Sequence, residues 1–190
     1  MLDWIVVDEA YLDFLRNNYE SRIPYMNYGP DHCKPFFGVL FYEGDYAYVT
    51  QVSHPQPRHY KMHGQIDFIK IFDGNRLLCV TNLNYMFPIH KSHIRSFAYK
   101  DIDSYRSFST EKEKNDYIAL LKLEIGIMQT MGIEAKARKV YDCCKKHTFP
   151  ALESRCFDFA VLEKACNEYI MQLKMNEEGQ VVNEESQEDS

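Results

Sequence analysis

Pro35-Phe36-Phe37-Gly38-Val39-Leu40-Phe41-Tyr42-Glu43-Gly44-Asp45-Tyr46-Ala47-Tyr48-Val49-Thr50-Gln51-Val52 is the stretch that decides the fold. Residues 35–42 form a run of aromatic and branched side chains, the composition that suits a pleated, half-buried surface. Glu43-Gly44-Asp45 supplies turn chemistry, and Tyr46 to Val52 returns with the same composition. This predicts a β-hairpin packed against a core. Pro55 and Pro57 end its second strand, because proline offers no ladder donor.

Outward from the hairpin, the pattern alternates between further strands and helices. On the N-terminal side, residues 2–7 (LDWIVV) predict a short buried strand. Asp8 predicts a helix cap, with Tyr11, Leu12 and Leu15 at helical spacing. Residues 19–34 carry Pro24, Asn27, Gly29 and Pro30 and predict a long loop, of the kind that often holds function. On the C-terminal side, Ile66–Phe72 and Leu77–Thr81 flank the turn Asp73-Gly74-Asn75, a second hairpin. Asn84–Ile89 is a further apolar run and Ser92–Phe97 a last strand. Thr110 with Glu113 forms a capping-box pattern. The helix it opens places Tyr117, Leu120, Leu121, Glu124, Ile125, Met128 and Met131 on one stripe, with Gly132 as its stop. Residues 133–147 predict a second helix rich in Lys and Arg. A final helix starts near Asp158 and buries Phe159, Leu162, Cys166, Tyr169 and Leu173. Strands first and helices last predict an α+β class, a compact single domain built on an antiparallel sheet flanked by helices.

Charge is unevenly spread. The net charge is −6, but residues 176–190 hold six acidic side chains and no Lys or Arg. The 28 acidic residues less those six leave 22, against 22 basic ones. The body is therefore neutral and can carry a basic face. Residues 175–190 read as an acidic, disordered tail. No segment has the apolar length of a membrane helix, and the N-terminus lacks the pattern of a signal peptide. Six scattered cysteines show no zinc-ligand spacing and read as reduced, mostly buried thiols of a cytoplasmic protein; for Cys33, next to Lys34, a structural role is the first reading and a lowered pKa the second. No metal cluster, phosphate-binding glycine loop or serine-hydrolase elbow is visible.

The chemistry concentrates at the two ends of the hairpin. Lys34 stands at the mouth of its first strand. Ser53, His54, Arg58, His59, Lys61 and His63 follow its second. These groups suit metal-free RNA cleavage, in which the ribose 2′-OH attacks its own phosphate. Lys34 would stabilise the phosphorane, His54 would serve as base or acid, and Ser53 would orient the phosphate. Each alone has a plainer reading as a surface or turn residue. Weaker basic sets are His90, Lys91, His93 and Arg95, and Lys136, Arg138, Lys139, Lys145 and Lys146 on the second helix, a solvated face first and a phosphate-tracking groove second.

The order of segments resembles the toxins of type III toxin–antitoxin systems, the ToxN/AbiQ-like endoribonucleases that include the CptN and TenpN groups. Tyr11-Leu12-x-Phe14-Leu15 comes first, then Lys34-Pro35-Phe36-Phe37-Gly38-Val39, then Val52-Ser53-His54-Pro55 with a basic stretch to Met62. Thr81-Asn82-Leu83-Asn84-Tyr85-Met86-Phe87-Pro88-Ile89 follows, and Cys156-Phe157-Asp158-Phe159-Ala160-Val161-Leu162-Glu163 is last. The resemblance spans roughly residues 4–170 and implies a strongly twisted sheet, with residues 1–174 as the nuclease domain. It implies metal-independent, sequence-selective cutting of cellular or phage RNA without a cofactor. It further implies inhibition by a small structured antitoxin RNA in a closed RNA–protein assembly, and a role in phage defence. Lys34 falls on the catalytic lysine, and Ser53 on a Ser/Thr position beside the reacting phosphate. His54 falls where other members usually carry the catalytic serine, so either His54 moves the proton or Ser53 is the key hydroxyl. Tyr11 and Tyr28 fall near the RNA path, and Arg58, His59 and Lys61 in the segment that lines it. Lys136 and Arg138 extend the expected RNA surface. The other classes that fit are an RNA-binding protein that sequesters a small RNA without cutting it, and a structural partner of an acidic protein.

Overall fold

The computed structural model describes residues 2–27, 29 and 32–188, with side chains described as far as residue 176. β1 (Asp3–Val6) runs into α1 (Glu9–Asn18) through Asp8, whose Oδ1 accepts from the Ala10 amide at 2.9 Å. That acceptor satisfies one of the amides a helix start leaves open. The hairpin is β2 (Phe36–Glu43) and β3 (Tyr46–Ser53), turned at Gly44 with φ +57°. The two strands and β1 close tightly on Gly38. A Cβ there would stand 2.8 Å from Val49 Cγ1, 3.0 Å from Ile5 Cδ1 and 3.1 Å from the Tyr48 carbonyl, so the backbones can meet only over a glycine.

The second hairpin is β4 (Phe68–Asp73) and β5 (Arg76–Asn82). β6 (Phe87–His90) follows a 3₁₀ turn at Leu83–Tyr85, so strand begins three residues later than the apolar run suggests. The expected last strand shrinks further, to β7 (Arg95–Ser96), because Lys91–His93 close a 3₁₀ turn on His90. Between the hairpins, α2 (Pro57–Lys61) is one helical turn.

Among the described residues these strands form one open antiparallel sheet in the order β4-β5-β3-β2-β1-β7, with β6 also on β3. β3 therefore holds two partners along one edge. Tyr46–Val49 pair with β6, whereas Val52 and Ser53 pair with Thr81 and Val80 of β5. Side chains bind the ladder together where it changes partner. Thr50 Oγ1 donates to the Asn82 carbonyl at 3.2 Å and Thr81 Oγ1 to the Gln51 carbonyl at 3.1 Å.

After a 3₁₀ segment at Tyr99–Ser104, the described residues continue with four α-helices: α3 (Glu111–Thr130), α4 (Ile133–Lys145), α5 (Pro150–Glu153) and α6 (Phe159–Glu188). Thr110 caps α3 as its sequence indicates, accepting from the Glu113 amide at 3.1 Å. The Glu113 carboxylate reaches the Ser109 amide, one residue before the expected partner. Trp4 Nε1 donates to the Leu121 carbonyl at 2.9 Å and fixes α3 against β1. α4 and α6 cover the other end of the hairpin. There Glu163 accepts from the phenols of Tyr48 (2.9 Å) and Tyr141 (2.6 Å) and from Lys145 (2.9 Å). Asp67 and Arg155 make a two-pronged pair at 2.6 and 2.9 Å that ties the chain before β4 to the segment between α5 and α6. α6 buries Phe159, Leu162 and Cys166, while Tyr169 and Leu173 are half-buried. The boundary read from composition at 174/175 falls inside this helix. Among the described residues no helix is long and apolar enough to cross a membrane.

Candidate active site

Register brings the expected residues together. β2 and β3 pair Phe36 with Gln51 and Phe37 with Thr50. The ladder ends there, and just beyond it Lys34 and Ser53 meet as lining residues of one cleft. Gln51 secures this geometry: its Nε2 donates to the Lys34 carbonyl at 2.6 Å and to the Tyr25 carbonyl at 2.7 Å. The Lys34 amide donates to the Met26 carbonyl at 2.9 Å. The loop before β2 is thus laced to β3 by backbone groups.

Lys34, Ser53, His54, Gln56, Pro57, Arg58, His59 and Asn82 line an open cleft of about 550 Å³. Every one of these lining residues except Pro57 carries a side-chain donor type that can meet a phosphate. His54 presents an exposed edge to it. Burial of the rest of the ring, then the cations Lys34 and Arg106, then His32, hold the His54 pKa below the ordinary histidine value. The ring is therefore neutral at physiological pH, able to accept a proton.

Lys34 and His54 also face inward. With Trp4, Cys33, Tyr117, Leu121 and Glu124 they line a hollow of about 30 Å³. Arg106 stands near it, its guanidinium 4.5 Å from the Tyr117 ring centroid, its Nη2 3.1 Å from Glu113 and its buried Nε without a partner among the described residues. Tyr117 in turn donates to the Cys33 carbonyl at 2.9 Å, next to Lys34. Arg106 and Glu124 were absent from the sequence-derived set. Arg106 lies in a linking segment with no pattern around it. Glu124 did leave a signal, a carboxylate on the apolar stripe of α3.

Several expected residues have other surroundings. His59 lines the cleft but is 4% exposed; its Nδ1 accepts from the Gln56 amide at 3.0 Å and its ring packs on Phe68. It caps α2 and shapes the wall. Tyr11 is a core residue at 4% exposed, its hydroxyl donating to the Pro88 carbonyl at 2.8 Å. Arg138 pairs with Glu43 at 2.5 Å, bonds the Tyr42 carbonyl and lies over Phe41. It therefore sits at the Tyr46 end of β3, about 20 Å from Ser53 at the rise of a strand. Lys136 is exposed on α4 and Lys61 on the last turn of α2, outside the cleft lining. Tyr28 lies outside the described residues. The Cys33 thiol is buried, as its structural reading expects, and burial pushes its pKa up to about 11 rather than Lys34 lowering it. No group of three or more His, Cys, Asp or Glu among the described residues is placed to hold a metal ion.

An open antiparallel sheet with helices on it and a basic cleft at a strand end defines the class as a small α+β protein. The chain belongs to one of its families: residues 4–167 match the family of the toxin ToxN of type III toxin–antitoxin systems. It is 24% identical over 170 residues to the endoribonuclease ToxN of Bacillus thuringiensis subsp. kurstaki, covering 86% of this chain and 81% of that one. Two solved structures share the fold. AbiQ, a lactococcal anti-phage endoribonuclease of a type III system, superposes with a TM-score of 0.72 at 18% identity, over 90% of this chain and 99% of its own. A toxin selectively inhibited by a non-coding RNA pseudoknot superposes with a TM-score of 0.70 at 22% identity, over 88% and 97%.

Proposed function

We propose that this chain is the toxin of a type III toxin–antitoxin system and a metal-independent endoribonuclease, held inactive by a small structured RNA. The convergence of Lys34, Ser53 and His54 on one open cleft carries the reading. A neutral His54 takes the proton from the ribose 2′-OH, and the freed oxygen attacks the adjacent phosphorus. Lys34, with Arg58 on the cleft wall, faces the negative charge that gathers on the phosphorane. Ser53 donates to a non-bridging oxygen. The P–O5′ bond then breaks and the leaving oxygen takes a proton from the Lys34 ammonium or from water. The products are a 2′,3′-cyclic phosphate and a 5′-hydroxyl.

The same cleft suits the inhibitor. An RNA that the enzyme has cut from a longer precursor, and that keeps its new end in the cleft, would block further turnover. In this reading the nuclease unit is residues 1–174, the acidic stretch 175–190 stands outside it, and cellular or phage RNAs are the substrates. The test is cleavage of a long A-rich RNA by the purified chain in excess EDTA, with end-group analysis. Cyclic phosphate ends, lost in Lys34→Ala, are the expected result. RNA retained intact would leave a protein that binds RNA without cutting it.

A further inference from the structure

Glu124 is a carboxylic acid in the wrong place for a surface helix. It lies on the core-facing stripe of α3 and is 3% exposed. No ion pair to it is seen among the described residues; its hydrogen bond is to the Cys79 thiol of β5. Ionising a buried carboxyl without a cation costs free energy unless polar groups or water meet its charge. What lies nearby is the inner hollow, which Glu124 lines together with Lys34 and His54. About 30 Å³ is room for a water able to link such groups.

Resting on the nuclease reading above, we propose that Glu124 is a positioning residue of the RNA-cutting site: its carboxylate faces Lys34 and His54 across a water-sized hollow and sets their charge and orientation from behind. The titratable and charged groups around it are few. The loop before β2 contributes Cys33 and Lys34, the end of β3 His54, β5 Cys79, and α3 itself Tyr117, with Arg106 beyond that ring. β1 contributes Trp4, and the rest of the hollow is lined by Pro35, Val52, Leu120 and Leu121. Burial pushes the Glu124 pKa up to about 7, with the Cys79 thiol opposing in part. The group therefore carries its negative charge on the alkaline side of that value. Ionised, it favours the protonated forms of Lys34 and His54. When His54 takes the substrate proton, Glu124 offsets the charge that forms.

The test follows the imidazole of His54 by NMR in the full chain, with kcat and KM measured from pH 5.5 to 8.5. Wild type, Glu124→Gln and Glu124→Asp are compared. In Glu124→Gln the His54 midpoint falls by at least half a pH unit, the acid limb of kcat moves with it, and kcat drops about tenfold while KM holds. Glu124→Asp, which keeps the acid, restores part of both, and decides the matter should the glutamine variant not fold. A His54 titration and acid limb that superpose on wild type overturn the proposal, even if kcat falls, since a purely structural loss would do that. A wild-type chain that cuts no RNA overturns the nuclease reading itself, and the NMR titration keeps the two failures apart.

Discussion

The two ends of β3 hold similar side chains and do opposite things with them. At the Tyr46 end, polar groups are consumed internally. Glu163 takes two phenols and Lys145, and Arg138 takes Glu43, Tyr42 and the Phe41 ring. At the Ser53 end, Lys34, His54 and Arg58 turn toward an open cleft while backbone carbonyls, Gln51 and His59 hold the frame. The same strand is a rivet at one end and a reactive edge at the other.

Four changes would break or sharpen that contrast. The largest effect belongs to Lys34→Ala, which should lower kcat/KM about 10³-fold, the scale of losing a group aimed at transition-state charge, with little change in unfolding midpoint. Next is Glu163→Ala. It strands the buried Tyr48 hydroxyl and its neighbour, so urea unfolding should show a loss of about 3–4 kcal/mol while activity per folded molecule is kept. Third is a pH effect. Glu124 has a folded pKa of about 7 against an ordinary 4.5. Above the unfolded value the unfolded chain gives up this proton first, so stability is greatest at acid pH and falls as pH rises through that interval. The fall is roughly 3 kcal/mol and should be missing from Glu124→Gln in denaturant titrations at pH 5 and pH 7.5. The smallest is Arg58→Ala, which should weaken RNA binding several-fold and reduce the salt slope of binding by about one phosphate contact.

Much of this molecule was legible because its signals are local. The hairpin around Gly44, the Asp8 and Thr110 caps and the apolar faces of α1, α3 and α6 follow from turn chemistry and period alone. The meeting of Lys34 and Ser53 in one cleft does not. Near the turn the register couples Phe41 with Tyr48 and Tyr42 with Ala47; beyond an irregularity it couples Phe37 with Thr50. The shift is two residues. Without it Phe36 and Phe37 would pair two residues further along β3, and no local rule predicts where a strand will bulge. His59 looked like a ligand because basic segments often are. Its burial depends on Phe68, which arrives from another hairpin. Tyr11 likewise finds Pro88 only after the sheet closes over α1. Glu124 could have been singled out from its stripe, but a lone carboxylate at a core position says nothing about what faces it.

The central claim is that chemistry is confined to the Ser53 end of β3. One measurement addresses it directly: the rate of cyclic phosphate formation on a single RNA by Lys34→Ala and Arg138→Ala, at equal folded concentration and in EDTA. Loss of about three orders of magnitude in Lys34→Ala with Arg138→Ala within a few-fold of wild type is the predicted result. Comparable losses in both variants, or a loss confined to Arg138→Ala, would contradict it.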